Sequence, residues 1–113
     1  GATYDIGFQW ISGCCDRGHN MMYVCLDNEV YANTGGQASG STPIGASATT
    51  SPAGSDSYGM KQNKKDMMQI MASNGASYVA QIAPNKWKDM VKKIQKGFAT
   101  DGFVYINAMS ACT

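Results

Sequence analysis

A carboxylate, a carboxamide and a glycine pair follow one another in DNEVYANTGGQ, residues 27–37. Oxygen donors on Asp27 and Asn28 suit a hard cation, and Gly35-Gly36 would let the backbone approach a ligand closely. Another polar feature lies upstream: Gly1 and Ala2, 26 residues before Asn28, stand ahead of a helical pattern. The start of a helix offers unpaired N–H groups and the positive end of its dipole to an anion. A cation beside such a terminus makes a site for a diphosphate. The same Asp-Asn pair also suits an ordinary Asx turn, and pattern alone leaves both readings open.

These residues need elements to hold them. In YDIGFQWISGCCDRG, Asp5 is placed to cap a helix over 6–17 that buries Ile6, Trp10 and Ile11, with Gly18 as its stop. MMYVCL, a short unbroken apolar run, predicts a strand over 21–26 buried on both faces. Residues 32–62, rich in Gly, Ser, Thr and Pro, have neither helical nor strand period and read as a functional loop or a flexible linker. NKKDMMQIMASNG has Asn63 and Asp66 at capping-box-like spacing, an apolar face of Met67, Ile70 and Met71, and Asn74-Gly75 as terminator. SYVAQIA reads as a strand. NKWKDMVKKIQKGF predicts a helix capped by Asn85, with Trp87, Met90, Val91, Ile94 and Phe98 inward and Lys88, Lys92 and Lys96 on a solvated face. FVYINAM is the last strand. Helices alternating with apolar strands predict an α/β fold of three layers, a mainly parallel sheet with helices on both faces and right-handed crossovers. Ligands in such sheets sit at the carboxyl ends of the strands, where DNEVYANTGGQ falls.

Composition narrows the possibilities. With 113 residues and 43% hydrophobic content there is room for one modest core, a single domain or part of one. The chain starts at Gly1 and ends directly after a strand-like run, as an excised piece would. A net charge of +1 argues against nucleic acid as a partner, and no apolar run approaches a bilayer span. A cytoplasmic protein is expected. The spacing of Cys14, Cys15, Cys25 and Cys112 matches no zinc site, so reduced thiols are expected, the first three as packing residues. His19 reads as a surface loop residue, and the eight methionines read mainly as core.

The segments GATYDIGFQWISG, YVCLDNEVYANTGGQASGSTPIGASATTSPAG, NKKDMMQIMASNGASYVAQIAP and FVYINAMSAC, in that order, together resemble the thiamine-diphosphate-binding domain of pyruvate:ferredoxin oxidoreductases (pyruvate synthases), the β subunit in multi-chain forms. The match covers nearly the whole chain. Gly1 falls on the last glycine of the family's Gly-Asp-Gly motif, so residues 1–113 would be part of one thiamine-diphosphate-binding domain, and the metal-binding Asp would be the residue before Gly1.

The resemblance implies roles residue by residue. The Asn28 side chain and the Val30 carbonyl match Mg2+ ligands; Gly1 and Ala2 match an amide cradle for the diphosphate. Asn28 to Asn33, with Glu29, Tyr31 and Ala32 between, match the segment that wraps it. Asn33 matches a polar residue beside the thiazolium, and Cys112 a ligand of a [4Fe-4S] cluster, although Ala111 stands where the family usually has Pro. Implied partners are pyruvate, coenzyme A, ferredoxin and the other domains or subunits of the oxidoreductase. YANTGGQASGSTPIGA resembles the pyruvate type more than the 2-oxoglutarate type. The competing reading from another class is a non-catalytic, flavodoxin-like module that binds a nucleotide or a protein.

Overall fold

The computed structural model describes residues 1–112. Its core is a three-stranded parallel sheet in the order β1 (Met21–Asp27), β5 (Phe103–Met109), β4 (Tyr78–Ile82). The register aligns Asp27 with Met109 and Ile82 with Ala108, so all three strands end on one side. A two-stranded antiparallel ribbon, β2 (Val30–Tyr31) and β3 (Gln37–Ala38), follows β1. Helices α1 (Phe8–Asp16) and α2 (Met67–Ser73) cover one face, and α3 (Trp87–Phe98) covers the other. The expected three-layer α/β architecture is therefore present. No helix is long and apolar enough to cross a membrane among the described residues.

The core follows the period-2 alternation of the strands. On the α1/α2 face, Tyr4, Ile11, Cys15, Cys25, Met67, Met71, Phe103 and Tyr105 form one buried cluster. On the other, Ile82, Val104 and Ile106 meet Met90 and Ile94 of α3. Gly97 lets α3 close on the sheet: a Cβ there would come within 2.7 Å of Met22 Cε. Cys15 and Cys25 are buried and Cys14 is half-buried, and all three are free thiols. His19 is exposed.

Several boundaries depart from the sequence expectation, each for a physical reason. The first helix begins earlier, with a wide π-helical turn over Ala2–Ile6 that leads through Gly7 into α1. Asp5 lies inside that turn and caps nothing, because its carboxylate is engaged by Lys65, Tyr31 and the Gly40 amide. Ile6 and Trp10 point outward, Trp10 at 72% exposure, and only Ile11 of the three is buried. Strand β1 lies at an edge of the sheet, so it is not buried on both faces: Val24 and Leu26 are exposed where α3 does not reach, Leu26 at 74%. Asn85 falls in a 3-10 turn, Pro84–Lys86, and does not cap α3, while the exposed Trp87, Val91 and Phe98 flank the half-buried stripe of Met90 and Ile94. Asp66 does cap α2, accepting from the Gln69 amide, but Asn63 is exposed and takes no part in that cap. Asn74 and Gly75 (φ 95°) end α2 as expected.

Met71 is fully buried between α2 and the sheet. Met71→Ala should destabilise the protein by about 2–5 kcal/mol and Met71→Leu by less than about 1.5 kcal/mol. Denaturant midpoints of the two variants check this, and equal shifts would contradict the packing described.

Candidate functional site

At the carboxyl end of β1 lies an opening of about 260 Å3, lined by Gly1, Ala2, Leu26, Asn28, Val30, Tyr31, Ala32, Asn33 and Thr34. Seven of the eight residues expected to surround a diphosphate line it; Glu29 is the exception. The opening forms because the first helical turn and the strand-end loop are neighbours. The turn is wide: the Gly7 amide donates to the Ala2 carbonyl at 2.6 Å and the Asp5 amide to that of Gly1 at 2.9 Å. The Tyr31 ring occupies the space that a Cβ on Gly1 would need, so only glycine fits there. The Tyr31 hydroxyl donates to Asp5 at 3.0 Å, which fastens the loop to the turn.

Asn28 is half-buried, and its side-chain oxygen accepts a long bond (3.4 Å) from the Val30 amide, leaving a lone pair for a second partner. Asn33 is exposed on the rim. Gly35 and Gly36 do not line the opening. Their positive φ values, 115° and 78°, make the turn between β2 and β3, where their amides donate to Ala32 and Tyr31. Cys112 is exposed three residues beyond β5; the Asp27–Met109 register puts it at the same end of the sheet but outside the opening.

Asp27 has a different role from the cation ligand its position suggested. It is 3% exposed and turned inward, and its carboxylate is saturated by the protein. The Glu29 amide (3.1 Å), the Tyr4 hydroxyl (3.1 Å), the Asn107 amide (3.1 Å), Lys64 Nζ (2.8 Å) and the Ser41 hydroxyl all donate to it. Burial alone would raise its pKa, but the hydrogen bonds from Lys64, Ser41 and Asn107 and the Lys64 charge outweigh it and hold the carboxyl below the ordinary range. Burial would lower the pKa of Lys64, yet Asp27 and Glu29 raise it. Asp5 behaves like Asp27: against the effect of burial, Lys65, the Gly40 amide and Tyr31 keep it low. Burial and Asp27 both push the Tyr4 phenol up, so it stays a neutral donor.

Lys64 and Lys65, adjacent in sequence, thus reach different carboxylates, and the sequence reading missed both. The only signal was a lysine pair abutting the Asp66 cap, which local pattern cannot distinguish from a solvated end. No group of three His, Cys, Asp or Glu side chains that could hold a metal occurs among the described residues. A hard cation at the opening would draw on the amide oxygen of Asn28 and the carbonyl of Val30, with further oxygens from outside the described residues.

The signs of these shifts fix a pH dependence. Asp5 and Asp27 have folded pKa values below the unfolded value of about 4, so their stabilisation is complete above that pH and is lost as the pH falls through the folded values. Asp27→Asn should lower the denaturant midpoint at neutral pH and flatten its decline below about pH 4. An acid decline as steep as that of the unaltered protein would show that Asp27 does not contribute to it.

Residues 1–108 match the family described as the thiamine pyrophosphate enzyme C-terminal TPP binding domain. Over all 113 residues the chain is 50% identical to pyruvate synthase subunit PorB of Methanothermobacter thermautotrophicus, of which it covers 39%. It is 39% identical to the NADH-dependent phenylglyoxylate dehydrogenase subunit beta of Aromatoleum evansii, covering all of this chain and 26% of that protein. Among solved structures it superimposes with a TM-score of 0.83 and 33% identity on 2-oxoglutarate:ferredoxin oxidoreductase from Magnetococcus marinus with 2-oxoglutarate, coenzyme A and succinyl-CoA bound, covering 96% of this chain and 36% of that one. The chain spans about two fifths of the length of the pyruvate synthase subunit. Between a thiamine-dependent domain and a flavodoxin-like module, these matches decide: the chain belongs to the thiamine pyrophosphate enzyme C-terminal domain family.

Proposed function

We propose that this chain is the diphosphate- and Mg2+-anchoring part of a cytoplasmic 2-oxoacid:ferredoxin oxidoreductase that converts pyruvate to acetyl-CoA. The observation that carries the reading is the meeting of Gly1, Ala2, Asn28, Val30 and Asn33 around one opening, although 26 residues separate Gly1 from Asn28. The identity to named pyruvate synthase subunits, 50% and 48% in two Methanothermobacter species, supports pyruvate. The stretch YANTGGQASGSTPIGA supports it too. Residues 1–113 form part of a single domain in this reading.

When bound, thiamine diphosphate supplies a carbanion-stabilising centre for decarboxylation of a 2-oxoacid. The chain's own residues position it. Gly1 and Ala2 of the first turn would hold the diphosphate with their amides, and Asn28 and Val30 would give oxygens to Mg2+. The backbone of residues 28–33 would wrap the diphosphate, including Glu29, whose side chain lines a separate cleft. Asn33, exposed on the rim, would orient the reacting group. Cys112 would give one thiolate to a [4Fe-4S] cluster, with the remaining ligands from outside this chain, since Cys15 and Cys25 are buried in the core and Cys14 packs against it. When bound, such a cluster would supply one-electron transfer toward ferredoxin, with coenzyme A as the acyl acceptor of the whole enzyme. Other domains or subunits complete the pocket.

Asn28→Leu removes an oxygen donor at nearly constant volume. In the intact protein it should weaken Mg2+-dependent binding of thiamine diphosphate about tenfold or more in a calorimetric titration. Unchanged affinity with Mg2+ present would refute the ligand assignment. Cys112→Ser, in enzyme prepared without oxygen, should lower the iron content or shift the potential of one cluster and slow reduction of ferredoxin. Unaltered iron, paramagnetic resonance spectrum and transfer rate would remove Cys112 from the cluster.

A further inference from the structure

Glu29 is the one non-glycine residue with positive φ, 67°, among the described residues. Side chains are disfavoured in that left-handed region, so the surrounding structure must hold the residue there. It does so at three points. The Glu29 amide donates to Asp27 Oδ1 at 3.1 Å, its carbonyl accepts from the Thr42 hydroxyl, and its carboxylate pairs with Lys64 Nζ at 2.8 Å. Lys64 Nζ simultaneously sits 2.8 Å from Asp27 Oδ2 and lies over the Tyr4 ring, 5.8 Å from its centre. One ammonium therefore touches the strand end, the loop and the first turn, although it is 37 residues from Asp27 in sequence.

The consequence lies in the neighbours of Glu29. Asn28 and Val30 both line the opening while Glu29, between them, does not; its side chain lines a separate cleft with Lys64. A residue in extended conformation at this position would continue β1, and its two neighbours would not be turned back onto the opening. We propose that Lys64 is a positioning residue for the cation-binding loop: by clamping the carboxylates of Asp27 and Glu29 it holds the left-handed turn that sets the Asn28 side chain and the Val30 carbonyl at one opening. The inference rests on the ligand roles proposed above for Asn28 and Val30, and it adds a residue remote in sequence that neither touches the opening nor shares its loop. Groups that orient metal ligands commonly change affinity about 10–100-fold when removed.

The test uses the intact protein and measures the Mg2+ concentration needed for half-maximal binding of thiamine diphosphate, alongside the melting temperature. Lys64→Met should raise that concentration about tenfold or more, and Lys64→Arg, which keeps the charge, should restore most of the loss. The decisive comparison is at Glu29. Glycine adopts positive φ freely and alanine does not, so Glu29→Ala should cost more than Glu29→Gly, and Glu29→Gly introduced into the Lys64→Met protein should recover part of the lost Mg2+ affinity. A general loss of stability would lower the melting temperature without such recovery, and that result overturns the positioning role. A normal Mg2+ requirement in Lys64→Met together with a raised one in Asn28→Leu also overturns it, while leaving Asn28 as a ligand. A normal requirement in both overturns the ligand reading and the inference that depends on it.

Discussion

One buried carboxylate organises this end of the molecule. Asp27 ends β1 with almost no solvent contact, and an unpaired charge in that position would be strongly destabilising. Its partners come from every surrounding segment: Tyr4 from the first turn, Glu29 from the following loop, Ser41 and Lys64 from opposite ends of the long loop, and Asn107 from β5. Asn107 is itself fixed by the Tyr105 hydroxyl at 3.0 Å. No buried side-chain nitrogen or oxygen lacks a partner among the described residues. Satisfying one charge thus compels four separate pieces of chain to meet beside the opening.

This explains how residues 32–62 fold without periodicity. Apart from the β2–β3 ribbon they make only isolated bridges, Ala48 with Ser51 and Ala53 with Tyr58, yet they are not a slack linker. Ser39, Ser41 and Thr42 are buried. The Gly40 amide bonds Asp5 while its carbonyl accepts from the Lys65 amide, and across the loop's base the Gly45 amide donates to the Met60 carbonyl while the Met60 amide donates to that of Ala46. Gly59, at φ 93°, has no space for a Cβ, which would come within 2.5 Å of the Ala46 carbonyl. Small polar residues dominate here because the segment is held by point contacts to backbone, where bulky side chains would not fit.

The sequence was legible wherever structure arises from local periodicity. FVYINAM is β5 residue for residue, the Met67 and Met71 spacing found the core face of α2, and Asp66 found its cap. Reading failed where a distant partner competes for a residue. Asp5 looks like a cap, but Lys65, 60 positions away, takes its carboxylate. Asp27 looks like a ligand for the same reason that it is not one: a carboxylate at a strand end serves equally as an internal anchor. The run MMYVCL cannot reveal whether its strand has one neighbour or two, and Trp10, Trp87 and Phe98 have apolar types that say nothing about which flank they occupy. For the candidate site, motif resemblance pointed to the loop that lines the opening, but the lysine paired with Asp27 and Glu29 was invisible because that pairing depends on a fold contact and not on spacing.

The same handedness that orders the strands also accounts for the open edge beside the site. The connection from β1 to β4 crosses with α2 on one face; the connection from β4 back to β5 reverses direction and places α3 on the other, as a single crossover hand requires. Helix α1 lies on the α2 face and leads into β1. With that hand the chain moves from β1 toward β4 and returns to fill the place between them, so the side of β1 away from β5 has no neighbouring strand among the described residues, and its backbone edge stays open beside the opening that Leu26, Asn28 and Val30 line.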